Sequence, residues 1–309
     1  MNSSSMTKAK PFLKWAGGKS QLLNDIASVF PNELVDRNFT YVEPFVGSGA
    51  VLFWVLNTFA DRVERVVIND VNADLINTYK TIKEQPQHLI ELLKNYQDKF
   101  LQLEHKVAQK EYYYEQRALY NTRRSESLVQ AALFIFLNRT CFNGLYRVNR
   151  KNEFNVPMGD YKKPLICDAE NLLNVSKVLQ RVEILCGDYQ QVLPLIESNK
   201  AWFYFDPPYR PLSETSSFNA YAKDVFDDEE QIRLASFCQK LDEMGYYWVL
   251  SNSDPKNIDE NDRFFDVLYS GFYIQRVLAK RSINAKADKR GQLNELLIRN
   301  HKDENEKEF

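Results

Sequence analysis

Residues Trp202–Tyr209 read WFYFDPPY. The first four residues have the character of a buried strand, and that strand runs straight into a carboxylate, two prolines and a tyrosine. A carboxylate at the C-terminal end of a central strand faces the ligand crevice of an open α/β sheet. Pro207 and Pro208 remove two N–H donors and fix φ, which leaves a stiff edge rich in acceptors. Such an edge suits an exocyclic amino group, and Tyr209 supplies a ring for stacking on a planar partner. A strand end stiffened by prolines for purely structural reasons fits the same four residues, and on their own they do not decide.

Outward from this strand the chain alternates in type. GKSQLLNDIASVF (18–30) has helical periodicity, TYVEPF (40–45) is a short apolar strand ending near Glu43, GAVLFWVLNTFA (49–60) is a helix that opens on a glycine, and VERVVIND (63–70) is a strand closed by Asp70. Strands alternating with helices predict a parallel sheet with crossover helices. From about Thr81 to Asn138 only helical periodicity is found, followed by a turn-rich stretch read as a β-hairpin or irregular loops. Alternation then resumes through AENLLNVSKVLQ (169–180), VEILCGD (182–188), the WFYFD strand, a helix over 228–245 and a strand over 246–252. Three more strand-like runs follow, at Phe264–Leu268, Tyr273–Ala279 and Asn294–Ile298. The expected architecture is an α/β domain formed by residues 1–80 and 165–309, interrupted by an insertion over 81–164.

Bulk properties narrow the function classes. The 309 residues are 44% hydrophobic and 27% charged, ordinary for a soluble globular chain. No apolar run has membrane-spanning length and the N-terminus lacks a secretory h-region, so a cytoplasmic protein without membrane association is expected. Cys141, Cys167, Cys186 and Cys238 are scattered without ligand spacing, and His88, His105 and His301 form no cluster, so no metal is expected. The net charge of −2 neither suggests nor excludes a nucleic-acid partner.

Two further stretches carry chemistry. EPFVGSGAVLF (43–53) joins a strand to a helix, and Gly47 and Gly49 allow a sharp turn with close backbone approach to a ligand. Asp70 stands about twenty residues on, where a ribose-binding acid sits in nucleotide-binding α/β folds. Asp188 is a second acid at a strand end. A tight strand-to-helix turn with solvated acids explains these residues equally well. FLKWAGGKSQLL (12–23) places Trp15 beside Gly17, Gly18 and Lys19 at a helix start, which attracts anions. It lacks the full phosphate-loop spacing, so ATP is disfavoured.

The ordered set F-x-K-W-A-G-G-K, E-P-F-x-G-S-G and D-P-P-Y resembles the Dam-type DNA adenine-N6 methyltransferases, the D12 class of the alpha group. The resemblance extends from about Pro11 to Arg299 and includes LNRTCFNGLYRVNRKNEFNVPMGDYKKP (137–164), characteristic of the family's DNA-reading region. It implies a Rossmann-like methyltransferase sheet with a helical and β-hairpin target-recognition insertion. It implies S-adenosylmethionine as donor, S-adenosylhomocysteine as product, double-stranded DNA as partner and no metal. By motif, Trp15, Lys19, Glu43, Gly47, Gly49, Asp70, Asp188 and Asp206 fall to the cofactor. Asp206, Pro207, Pro208 and Tyr209 fall to catalysis on a flipped adenine.

Between Arg139 and Lys163 six Lys/Arg face two acids, a local balance of +4 with Phe142, Tyr146, Phe154 and Tyr161 interleaved. By resemblance Arg147 reads guanine, Phe142 is an intercalating wedge, and Lys14, Asn143, Leu145, Pro157 and Tyr161 add DNA contacts. A solvated basic hairpin is the alternative on composition alone. Asp160 stands where some relatives carry a basic residue, which puts a phosphate contact there in doubt. RVLAKRSINAKADKRGQ (276–292) is a second basic stretch, read as a loop tracking phosphates or as a solvated turn. The expected activity is site-specific adenine-N6 methylation, GATC being the favoured site. The alternatives are a restriction-modification enzyme with another adenine-containing site, functionally paired with a cognate endonuclease, or an RNA amine methyltransferase. A bacterial or phage-encoded monomer is expected.

Overall fold

The computed structural model describes residues 8–15, 17–197, 200–210, 226–280 and 292–302. Most of the second basic stretch and the polar end of the chain lie outside them. The described residues form a mixed α/β fold with seven strands, arranged in two compact units.

One unit comprises residues 19–46, 59–69 and 188–309. It holds helices α1 (Leu23–Ser28) and α2 (Asn32–Val35), strands β1 (Phe39–Glu43) and β2 (Val63–Asp70, up to Asn69), β4 (Ala201–Phe205), helix α9 (Asp228–Glu243), β5 (Tyr247–Ser253), α10 (Phe264–Leu268), β6 (Tyr273–Lys280) and β7 (Gln292–Arg299). Its strands run in the order β2-β1-β4-β5-β7-β6. The first four are parallel; β7 is antiparallel to both β5 and β6. β4 is central, and all five of its residues are buried. That explains why it reads as an unbroken apolar run rather than an alternating one: a parallel strand covered on both faces has no solvent side. Asp206 therefore emerges at the C-terminal end of the deepest strand.

The other unit comprises residues 1–18, 47–58 and 70–187. It holds α3 (Ala50–Thr58), α4 (Ala73–Glu84), α5 (Pro86–Gln102), α6 (Lys106–Asn121), α7 (Ser127–Thr140), α8 (Ala169–Leu179) and β3 (Val182–Cys186). α7 is apolar on every face because α4, α5 and α6 all pack on it. Phe136 at its middle meets the rings of Tyr96, Phe100, Tyr112 and Tyr113 at centroid distances of 5.6–6.4 Å. The division into units thus differs from the sequence boundaries at 80 and 165: residues 8–15 and the segment 70–80 pack with the helical part.

Two local expectations change. Phe264–Leu268, expected as a strand, is the helix α10. The Asp262 carboxylate accepts from the Phe264 amide at 2.9 Å and starts the turn. Phe265 and Tyr269, four apart, are the fully buried pair, so the period is helical; the five residues FFDVL are too few to show it. The expected hairpin is made of only two antiparallel bridges, Cys141 with Met158 and Val148 with Phe154. Its turn is closed by Asn149, whose side chain accepts from the amides of Lys151 and Glu153.

Phe136→Ala removes the ring around which four aromatic residues gather. It should cost about 3–5 kcal/mol, read as a shifted midpoint in urea denaturation with an unchanged slope.

Candidate functional site

In the helix-rich unit, the loop entering α3 turns at Gly47 (φ +48) and Gly49 (φ +74). A Cβ at Gly47 would lie 3.1 Å from the Trp15 indole nitrogen, and one at Gly49 would lie 2.6 Å from the Tyr79 hydroxyl. Both positions thus combine left-handed backbone with close contact, a side chain at Gly49 clashing outright and one at Gly47 pressing on the indole. The Gly47 amide donates to Asp70 Oδ2 at 3.1 Å, and the Asn72 amide to Asp70 Oδ1 at 2.9 Å. Tyr79 donates to the Gly47 carbonyl at 3.0 Å. Asp70 therefore fastens the glycine loop, and Trp15, Gly47, Gly49 and Asp70 come together. The result is a narrow turn bounded by an indole face and a half-buried carboxylate.

Trp15 also stacks on Tyr146 of the hairpin at 5.6 Å and 16°. The buried Asn138 of α7 fixes the neighbouring backbone. Its Oδ1 accepts from the Lys14 amide at 2.9 Å, and its Nδ2 donates to the Lys14 carbonyl at 2.8 Å and the Gly144 carbonyl at 3.0 Å. Lys14 then reaches over the Tyr161 ring, 4.0 Å from its centroid. The Phe142 amide donates to the Pro157 carbonyl at 2.8 Å, while the Phe142 side chain stays 51% exposed. Asn143 sits at φ +55, presenting the 3₁₀ turn Phe142–Gly144, and Leu145 follows it. Arg147 is held from one side only, by Nε donation to Asn155 Oδ1 at 2.7 Å. Lys14 with Tyr161, and Phe142 with Pro157, are thus direct neighbours. Asp160 carries no basic function: it pairs with Lys106 at 2.6 Å, which holds its carboxyl below the usual range. Asn138 and Asn155 were missed from the sequence, and Tyr146 was noted only as an interleaved aromatic. A polar residue inside the apolar run FIFLN was the one available signal, for Asn138.

The second unit supplies the acid. Asp206 Oδ1 lies 2.8 Å from Lys19 Nζ and accepts from Ser251 Oγ at 3.2 Å. Lys19 is 4% exposed and Asp206 23%. Burial pushes the Asp206 carboxyl above its ordinary 3.8; Lys19 and Ser251 oppose that and Glu295 adds to it. Lys19 Nζ also lies 4.5 Å from the Tyr209 ring centroid, and Tyr209 donates to Glu295 Oε2 at 2.6 Å. Burial, Asp206 and Glu295 keep the Tyr209 phenol protonated well above 10. Lys19, expected to serve the cofactor, and Asp206, expected to serve both the cofactor and the chemistry, are directly paired, and Glu295 and Ser251 join them. Glu43 is buried at the end of β1 and accepts from Tyr41 at 2.7 Å. Asp188 caps its turn through the Gln190 amide at 2.9 Å and pairs with Arg233 at 2.7 Å, remaining about half exposed. Among the described residues no three His, Cys, Asp or Glu side chains gather closely enough to hold a metal ion, and no helix is long and apolar enough to cross a membrane.

A family model described as "D12 class N6 adenine-specific DNA methyltransferase" matches residues 15–283. The chain is 49% identical over 298 residues to the type II methyltransferase M.MjaIII of Methanocaldococcus jannaschii, covering 95% of this chain and 100% of that one. It is 37% identical to the type II methyltransferase M1.LlaDCHI of Lactococcus lactis subsp. cremoris, with 94% and 95% covered. The DNA adenine methylase of Escherichia coli K12 is 34% identical, again with 94% and 95% covered.

Lys19→Met removes the charge that holds Asp206 down, so the carboxyl should titrate at higher pH than in the wild type. A folded value raised above the unfolded one means that ionisation weakens the fold as pH rises between the two. The destabilisation by Lys19→Met should therefore be smallest below pH 3.8 and grow as pH rises above it. Denaturation midpoints across that range, with an NMR titration of the Asp206 carboxyl carbon, test this; a pH-independent difference would refute the coupling.

Proposed function

The chain belongs to the D12 class of N6 adenine-specific DNA methyltransferases, and on that premise we propose how it acts and what it reads. S-adenosylmethionine is the donor; when bound it supplies an electrophilic sulfonium methyl group. By motif, Trp15, Lys19, Glu43, Gly47, Gly49, Asp70, Asp188 and Asp206 are the residues given to it. The glycine loop drawn against Trp15 and tied to Asp70 suits a ligand that offers flat rings and a diol, because an indole face takes rings and a carboxylate accepts from paired hydroxyls.

Adenine N6 is a poor nucleophile because its lone pair is delocalised into the ring. Asp206 and the Pro207 carbonyl accept hydrogen bonds from the two N6 hydrogens, which favours a more tetrahedral nitrogen with its lone pair exposed for attack. The contribution is one of positioning and electrostatics, and no covalent bond to the base is needed. The observation that carries this reading is the Asp206 carboxylate, buried at the end of the central strand and held beside Lys19 at 2.8 Å. The Pro207 carbonyl beside it takes no hydrogen bond among the described residues.

A base within a duplex must leave the stack to reach such a group, and Tyr209 stacks on it there. The exposed Phe142 fills the gap it leaves. Arg147, whose Nε is held by Asn155 Oδ1, reads a guanine edge. Lys14, Asn143, Leu145, Pro157 and Tyr161 add contacts around it. GATC is the first candidate site.

Asp206→Ala should abolish adenine methylation while circular dichroism stays that of the wild type. Near-normal turnover would overturn the assignment. Arg147→Ala should lose discrimination at one base pair, worth about 1–3 kcal/mol, in methylation rates on single-base site variants. A uniform loss across all sites, with the salt slope reduced by about one, would make Arg147 a phosphate contact instead.

A further inference from the structure

The turn that follows β4 is held from behind by two side-chain amides. Gln231, in the first turn of α9, and Asn252, on β5, are both fully buried. Gln231 Nε2 donates to the Pro208 carbonyl at 3.2 Å, and its Oε1 accepts from Asn252 Nδ2 at 3.1 Å. Asn252 Oδ1 accepts from the backbone amides of Arg210 at 3.3 Å and Ser253 at 2.9 Å. Backbone amides only donate, so the direction of every bond in this relay is fixed from one end. The Arg210 guanidinium braces the same turn, with Asp228 at 2.7 and 3.0 Å and Asp262 at 2.8 Å.

A proline pair offers two carbonyls and no N–H. Gln231 takes that of Pro208; that of Pro207 has no hydrogen-bond partner among the described residues. We propose that Gln231 and Asn252 are positioning residues for methyl transfer: they engage the Pro208 carbonyl and the Arg210 amide so that the Pro207 carbonyl alone is presented, beside Asp206, to the substrate amine. This rests on the role given above to Asp206 and Pro207. Two buried amides add little to stability over well-packed apolar side chains, and a half-satisfied network is costly. What a directed relay does supply is one orientation of the backbone it holds.

The test compares Gln231→Glu and Gln231→Met with the wild-type full-length enzyme. A buried carboxylate has no donor for the Pro208 carbonyl. At neutral pH, Gln231→Glu should lower kcat roughly 10–100-fold, with KM for DNA and the calorimetric affinity for S-adenosylmethionine unchanged. As pH falls, the protonated carboxyl regains both functions, a donor for Pro208 and an acceptor for Asn252. The ratio of variant to wild-type kcat should then climb. Lys19, Asp206, Arg210, Asp228, Glu230, Asp262 and Glu295, the charged groups on the elements around this turn, are common to both proteins, so their titration cancels in the ratio. Gln231→Met has no donor at any pH, and its ratio should stay low and flat. All rates are taken at temperatures where each variant is fully folded by circular dichroism. Should Gln231→Glu fail to fold, Gln231→Met decides alone through its split between kcat and KM. A near wild-type kcat for Gln231→Met, or a flat ratio for a folded Gln231→Glu, would overturn the proposal. Asp206→Asn in the same assay separates the two levels. If it retains wild-type rate, the role of Asp206 fails; if it is inactive while Gln231→Met is not, only the present inference fails.

Discussion

The contact around which the sheet unit's strand ends gather is the pairing of Lys19 with Asp206. A carboxylate at the end of a fully buried strand is expensive to keep charged, and a lone ammonium in the same place is no cheaper. Together they are tolerable, and the residues around them show how completely the structure commits to them. Ser251, one strand over on β5, donates to the same carboxylate and also meets the Tyr204 hydroxyl at 3.0 Å. Tyr209 lies under the ammonium and is tied at its far end to Glu295 on β7. The prolines then stop the chain from relaxing away from this arrangement. The ion pair thus gathers the acid, the ring and residues of β5 and β7 at one end of the sheet.

The helix-rich unit solves a different problem, that of holding an irregular hairpin without a sheet. With only two bridges, the hairpin borrows its shape from α6. Tyr113 and Arg117 donate to the Val156 carbonyl, and Asn121 exchanges both of its amide functions with Phe154. Side chains on a helix replace the ladder that a neighbouring strand would supply. The Phe142 side chain stays 51% exposed, and Arg147 is held through its Nε by Asn155.

Much of this was visible in the residues. The buried strand ending in Asp206 and the glycine turn followed by Asp70 both follow from short-range rules, since burial on two faces and left-handed backbone leave marks in adjacent letters. What was not legible has a common cause. The Lys19–Asp206 pair, the Gln231–Asn252 relay and the Asn138 clamp are formed between residues far apart in the chain, and a polar residue in an apolar run says only that it has a partner, not which. α10 was misread because five residues do not span enough turns to distinguish period 2 from 3.6. The units divide elsewhere than composition implies because residues 8–15 pack with helices read 120 residues later.

That last feature bears on how the molecule comes into being. Asn138 and Asn171 hold the backbone of Lys14 and Lys10 across separations of 124 and 161 residues. In the other unit His301 closes on the Val29 carbonyl at 2.7 Å across 272. A chain emerging from the ribosome therefore carries its N-terminal segment unhoused until more than half of the sequence has been made, and His301 lies near its end. Contacts of such range are slow to find because loop closure precedes any gain from them. Vectorial synthesis supplies the last residues of the helix-rich unit, up to 187, well before β7 and His301 of the other, so the two units are completed one after the other.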